Sequence, residues 1–153
     1  MNTQLFERIF GITCLLLPPG MTSLAARNML VAIAMQESRF KHRAQIGGPA
    51  KGFWQFEKNG GVRGVLNHVT TGPLIREVCS ALSYEPDVSE CYTAIEHNDI
   101  LACAFARLLL WTVLRPLPKR GEHQKAWDYY IEGWRPGKPH RDTWDAFYDK
   151  AWE

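Results

Sequence analysis

Glu37 ends an otherwise apolar run, MLVAIAMQ, at the point where a helix begun near Thr22 or Ser23 should finish. The C-terminal end of a helix carries the negative pole of the macrodipole, which disfavours a further negative charge. Its neighbours Ile33, Ala34 and Met35 are apolar. Desolvation and the dipole both push such a carboxyl toward its neutral form. A carboxylic acid kept protonated near neutral pH is what general acid catalysis needs. The alternative is an exposed helix-end glutamate with no chemical role.

The elements that must hold Glu37 follow from the periodicity. Helices are expected at about 3–17, from Thr22 or Ser23 to about Glu37, and then at 62–68, 72–82 and 87–96. Three more are expected at 99–114, 122–133 and 141–152, the first of them capped by Asn98 or Asp99. Pro18-Pro19-Gly20, Pro116 with Pro118, and the WRPGKP turn act as breaks. Leu5, Phe6, Ile9, Phe10, Ile12 and Leu16 suit one face of the first helix, and Leu24, Met29, Leu30, Ile33 and Ala34 that of the second. ILACAFARLLLWTVL is apolar on most sides and should be the buried central helix. Alternating strand patterns are nearly absent, so any β-structure is very small and lies within 41–61. The expected fold is mainly α, one domain over 1–153.

Composition narrows the function classes. With 18 basic and 16 acidic residues the net charge is +2, too balanced to argue for nucleic acid. Six tryptophans suit either a ring-lined ligand groove or a large core. The four cysteines form no CxxC pair and no His lies at metal-ligand spacing from them, so neither a metal nor a cofactor is expected. Cys14 and Cys103 fall in apolar helical patterns and are expected as buried thiols; whether Cys79 and Cys91 pair stays open. IFGITCLLL is too short to span a membrane, and Glu7, Arg8 and Pro18-Pro19 flank it poorly for a cleaved signal. No stable membrane insertion is expected, nor any nucleotide loop or nucleophile triad.

From Glu37 onward the chain runs ESRFKHRAQIGGPAKGFWQFE. This block resembles the signature of the soluble lytic transglycosylases and goose-type lysozymes: Glu-Ser, an aromatic, Ala, a Gly-rich turn, then Gly, two hydrophobics and Gln. Glu37-Ser38, Phe40, Ala44, Ala50 and Gly52-Phe53-Trp54-Gln55 fall in register, with the Gln eighteen positions after the Glu. Ile46 and Pro49 depart from the usual Ser and Gly, and Phe53-Trp54 replaces a smaller Leu-Met pair. More weakly, DILACAFARLLL is similar to the family's long helix. AWDYYIEGW is similar to its Ala-Tyr-Asn-Ala-Gly segment, with Tyr130 and Gly133 in place and Ile131-Glu132 departing. Residues 24–137 are covered, and 37–55 carry the specific part. The overall likeness is greatest to small phage-encoded lysozyme-like proteins, either endolysins or virion-associated.

The resemblance implies a lysozyme-like helical domain that cleaves the β-1,4 bond between N-acetylmuramic acid and N-acetylglucosamine. Glu37 would be the general acid and later the base. Glu57 stands where goose-type lysozymes carry an Asp assigned to water, and is otherwise the acidic start of a short helix. Tyr130 would orient Glu37, or be core. Ser38, Phe53, Trp54, Gln55 and Gly133 would bind substrate; Phe53 and Trp54 either stack on sugars or fill the core. Arg39, Lys41, His42 and Arg43 would either attract the wall's anionic peptides or form a solvated turn, and Trp134 and Arg135 would flank the cleft. The implied partner is the peptidoglycan glycan strand, met by a monomer made in the host cytoplasm and released to the periplasmic wall or carried with other virion proteins. The competing reading is a non-catalytic wall-binding or virion structural module on a degenerate scaffold.

Overall fold

The computed structural model describes residues 2–153 and is mainly helical. The helices are α1 (Thr3–Leu16), α2 (Leu24–Ser38), α3 (Arg63–Asn67), α4 (Thr71–Ala81), α5 (Val88–His97), α6 (Asp99–Thr112), α7 (His123–Trp134) and α8 (Arg141–Ala151). A 3₁₀ turn, Pro19–Met21, precedes α2, and a π-helical turn, Lys58–Val62, precedes α3. Segment 41–61 holds only isolated bridges, Ala44 to Lys51 and Lys51 to Phe56.

Side-chain caps set several of these starts. Asn2 Oδ1 accepts from the Leu5 amide, Ser23 Oγ from Ala26, and Asp87 Oδ1 from Glu90. Asn98 Oδ1 accepts from both Ile100 and Leu101 at 3.0 Å, which satisfies two orphan amides of α6. Asp99 then sits in the first turn, at the positive end of the dipole. Its carboxylate takes two parallel bonds of 2.8 Å from the Arg43 guanidinium. That fork ties the loop after α2 to the start of α6.

α6 is the hub. Leu101, Ala102, Cys103, Ala104, Phe105, Ala106 and Leu108 are all fully buried. α1, α2, α4 and α5 pack on it, while α8 lies along α2 and α7 packs on α8 and α6. α6 ends at Thr112, two residues earlier than the apolar pattern suggests. The Thr112 hydroxyl donates back to the Leu109 carbonyl, and Val113 is already extended.

Several side chains depart from the amphipathic reading. Ile12 is 44% exposed, and its place on the inner face of α1 goes to Thr13, which satisfies its own hydroxyl on the Ile9 carbonyl. Leu24, the first residue of α2, is 63% exposed. Cys103 is buried but Cys14 only partly so. Cys79 and Cys91 are free thiols with sulfurs 3.6 Å apart, joining the end of α4 to the start of α5. Among the described residues no helix is long and apolar enough to cross a membrane.

Candidate functional site

Glu37 occupies the last turn of α2. The helix stops there because Arg39 and Phe40 both take left-handed backbone, with φ of 57° and 55°. Such angles are uncommon for a bulky residue and need support from the surroundings. The Phe40 amide donates to Ser38 Oγ, its ring stacks on Phe53 at 4.2 Å, and the Arg39 guanidinium donates to the Met35 and Gln36 carbonyls. The helix end is thus held firm from both sides.

The loop that returns to Glu37 is held equally tightly. Ser38 Oγ donates to the Phe53 carbonyl at 2.7 Å. Gly52 has φ of 78°, and a Cβ there would lie 2.7 Å from Ile95 Cγ2, so the position requires glycine on both backbone and packing grounds. Gln55 also takes positive φ, and its amide donates to the Gly52 carbonyl at 2.9 Å. These ties aim Gln55 and Glu57 into the cleft that Glu37 faces.

The third wall comes from α7 and the turn after it. Tyr130 Oη donates to Glu37 Oε1 at 2.5 Å across 93 residues of chain. Its ring lies parallel to Trp144 at 5.0 Å, which in turn stacks on Tyr148 at 5.9 Å. Trp144 is fixed by an N–H bond to the His123 carbonyl. With the ring clamped, the Tyr130 hydroxyl has little freedom away from Glu37. Gln36, beside the acid, donates to the His140 carbonyl and accepts from Thr143 Oγ1, pinning the start of α8 to α2.

Together these walls enclose a cleft of about 540 Å³, lined among others by Glu37, Gln55, Glu57, Gly133, Trp134 and Lys138. The size is ordinary for a small-ligand or sugar site. Burial is the main cause that pushes the Glu37 pKa up from 4.5 to about 7, and the charge of Glu57 adds to it. The Tyr130 hydrogen bond opposes both, because it favours the carboxylate. Tyr130 itself is pushed up, by burial first and then by the Glu37 charge, so it stays a phenol and a donor.

Of the candidate residues, Glu37, Gln55, Glu57 and Gly133 share the cleft, and Tyr130 reaches it through the Glu37 carboxylate. Ser38 does not bond Glu37. It is 5% exposed and spends its hydroxyl on backbone carbonyls, so it shapes the loop rather than offering a group to substrate. Stacking of sugars on Phe53 and Trp54 does not hold either. They are 2% and 0% exposed, and Trp54 donates its N–H to the Leu30 carbonyl deep in the core. The ring at the cleft is Trp134, whose N–H is anchored on the Trp54 carbonyl at 2.9 Å. Arg39 and Arg43 are used as a helix cap and an ion pair, while Arg135 and Lys138 supply the positive charge at the cleft. Lys138 was not legible as a residue of the cleft, nor was the part Gln36 plays beside it in pinning α8 to α2; a polar side chain next to the acid at an otherwise buried helix end was the available signal for Gln36.

What this arrangement can do chemically is hold one carboxyl, its pKa raised to about 7, in a polar cleft shared with the Gln55 amide, the Glu57 carboxylate and Trp134. The chain matches no family model, no curated protein and no solved structure.

Proposed function

We propose that the protein cleaves the glycan strand of peptidoglycan at the β-1,4 bond from N-acetylmuramic acid to N-acetylglucosamine, with Glu37 as general acid and then base. The observation that carries this reading is that Gln55 shares one cleft with Glu37 and Tyr130 bonds the Glu37 carboxylate, the positions that the Glu37-to-Gln55 block and the AWDYYIEGW segment imply. A carboxyl with a pKa near 7 donates its proton to the leaving glycosidic oxygen and leaves a carboxylate, which Tyr130 then stabilises. The positive charge that develops on the sugar ring lies beside that new carboxylate. Gln55 holds an amide or hydroxyl of the sugar, and Trp134 offers a ring face. Arg135 and Lys138 suit the carboxylates of the wall's peptide stems.

Two routes complete the reaction. In a transglycosylase the muramic acid 6-hydroxyl attacks its own anomeric carbon, Glu37 takes the hydroxyl proton, and a 1,6-anhydro end forms. In a hydrolase water attacks instead. Glu57 lies exposed on the same cleft and its charge acts on Glu37, which supports it as the second carboxylate of the hydrolytic route. Mass spectrometry of the products separates the routes, because the anhydro end is lighter by one water.

The reading is tested by turbidity loss of chloroform-treated Gram-negative cells. Clearing is expected with the purified protein. A protein that sediments with the cells and leaves them turbid would be a wall-binding or virion module instead.

Tyr130→Phe tests the positioning role. The hydrogen bond favours the charged form of Glu37, so its loss should raise the Glu37 pKa further and move the alkaline limb of the activity profile to higher pH. The maximal rate should fall roughly ten- to hundredfold, as for the loss of a hydrogen bond to a charged group, about 1.5–3 kcal/mol. An unmoved limb would mean that Tyr130 is only core.

A further inference from the structure

A second cleft, of about 400 Å³, opens at the C-terminal end of α6 and is lined by Arg107, Trp111, Val113, Leu114, Leu117 and Tyr129 among others. It is distinct from the Glu37 cleft. Arg107 and Trp111 are four residues apart on α6 and share one face, whereas Leu109, which lines the Glu37 cleft, lies about 200° round the helix from Arg107.

Arg107 is the unusual member. It is only 3% exposed and sits in the middle of the most apolar helix of the chain. Its Nε donates to the Met21 carbonyl. Among the described residues no carboxylate lies within ion-pair distance of it, and its two Nη nitrogens have no protein acceptor. Neither Nη is among the fully occluded atoms left without a partner, so each keeps some accessible surface, and Arg107 lines the cleft. A guanidinium cannot shed its charge at ordinary pH, and an unpaired charge inside a protein is destabilising. A partner from outside the chain would offset that cost.

The surroundings define the partner. Two free N–H groups on one planar guanidinium match the two oxygens of a carboxylate. The rest of the wall is apolar and partly bare: Trp111 is 44% and Leu114 93% exposed. Arg115, at the rim, is already engaged by Glu132. We propose that this cleft binds a single carboxylate carried on an apolar body, with the carboxylate on Arg107 and the apolar part against Trp111, Leu114 and Leu117. Two sources share that chemistry: a medium-chain fatty acid, and a peptide ending in an apolar residue with a free C-terminus. The site does not depend on the Glu37 reading.

Titration calorimetry and amide NMR of the full chain test it with two charged probes, octanoate and N-acetyl-leucine, and their neutral partners, octanamide and N-acetyl-leucinamide. At least one acid should bind one to one and shift the Trp111 and Leu114 amides, and which acid binds more tightly identifies the source. Its amide should bind at least about tenfold more weakly, since a charge-assisted bidentate pair is lost. Arg107→Met should abolish the preference for the acid. Because that buried site bears on folding, Leu114→Glu serves as the second variant: it lies on the surface, and both probes lose the Leu114 contact, but its carboxylate at the cleft mouth repels only the acid and should narrow the acid's advantage over the amide. Absence of binding by both acids, equal binding of acid and amide, or an acid preference untouched by Leu114→Glu would each overturn the proposal.

Discussion

Glu37→Gln is expected to lose glycan cleavage by about a hundred- to ten-thousandfold, the span that a positioned proton donor contributes. The loss should come with a gain in stability, and the pair of effects is the signature of a strained acid. The Glu37 pKa is about 7 when folded and 4.5 ordinarily, so between those values the folded state binds more protons than the unfolded one. Stability therefore falls as pH rises from 4.5 to 7 and stays lowered above it. At 1.36 kcal/mol for each pH unit, the burden above pH 7 is up to about 3 kcal/mol. Gln carries no charge to desolvate and its Oε1 can still accept from Tyr130. The variant should be more stable than the parent at pH 8 by up to about 3 kcal/mol and no more stable at pH 4. Denaturant unfolding at the two values measures this. A variant that loses activity and also loses stability at pH 8 would point to collapse of the site and not to a missing proton.

Trp54→Ala is the second large effect, and it concerns the scaffold. Trp54 is fully buried against Phe6, Phe40 and Phe53, with ring centroids 6.3–6.5 Å away. Its N–H is spent on the Leu30 carbonyl and its own carbonyl holds Trp134. Truncation should cost roughly 3–5 kcal/mol, a large part of an ordinary domain's stability. Trp54→Phe keeps most of the volume but drops the buried donor, and should cost about 1–2 kcal/mol. Urea unfolding at pH 6 measures both. If Trp54→Ala unfolds at the parent's midpoint but raises KM for glycan, the ring faces sugar and not the core.

How much of this was legible in the sequence depends on the range of the signal. The caps at Ser23 and Asn98, the breaks at Pro18-Pro19 and the apolar hub in α6 are local, and each appears where the pattern places it. Glu37 as an awkward acid was equally local: apolar neighbours and a helix end are both visible within a few residues. The Tyr130 contact was not, since it spans 93 residues and periodicity carries no information at that distance. It was expected only from the resemblance. Phe53 and Trp54 were ambiguous for another reason. Two adjacent rings in an irregular loop have no period to say which way they face, and the left-handed residues on either side, Gly52 and Gln55, turn both inward. Arg107 was hidden by its own helix, because one charge in a long apolar run barely changes the pattern.

The departures at Ile46 and Pro49 bear on the loop and leave the acid in place. Ile46 is 82% exposed, and the Pro49 carbonyl accepts from Tyr92 Oη. The turn between them is closed by Gln45, whose amide and side-chain oxygen both bond Ala50. Loop shape can therefore vary there without moving Gly52 or Gln55.

Everything proposed for the cleft turns on Glu37 supplying the proton that breaks a peptidoglycan glycosidic bond. Purified Gram-negative sacculi incubated at pH 6 with the parent protein and with Glu37→Gln, followed by mass spectrometry of the soluble fraction, test it most directly. Muropeptides are expected from the parent and essentially none from the variant, with both proteins folded. Equal release by the two, or no release by a folded parent, would contradict it.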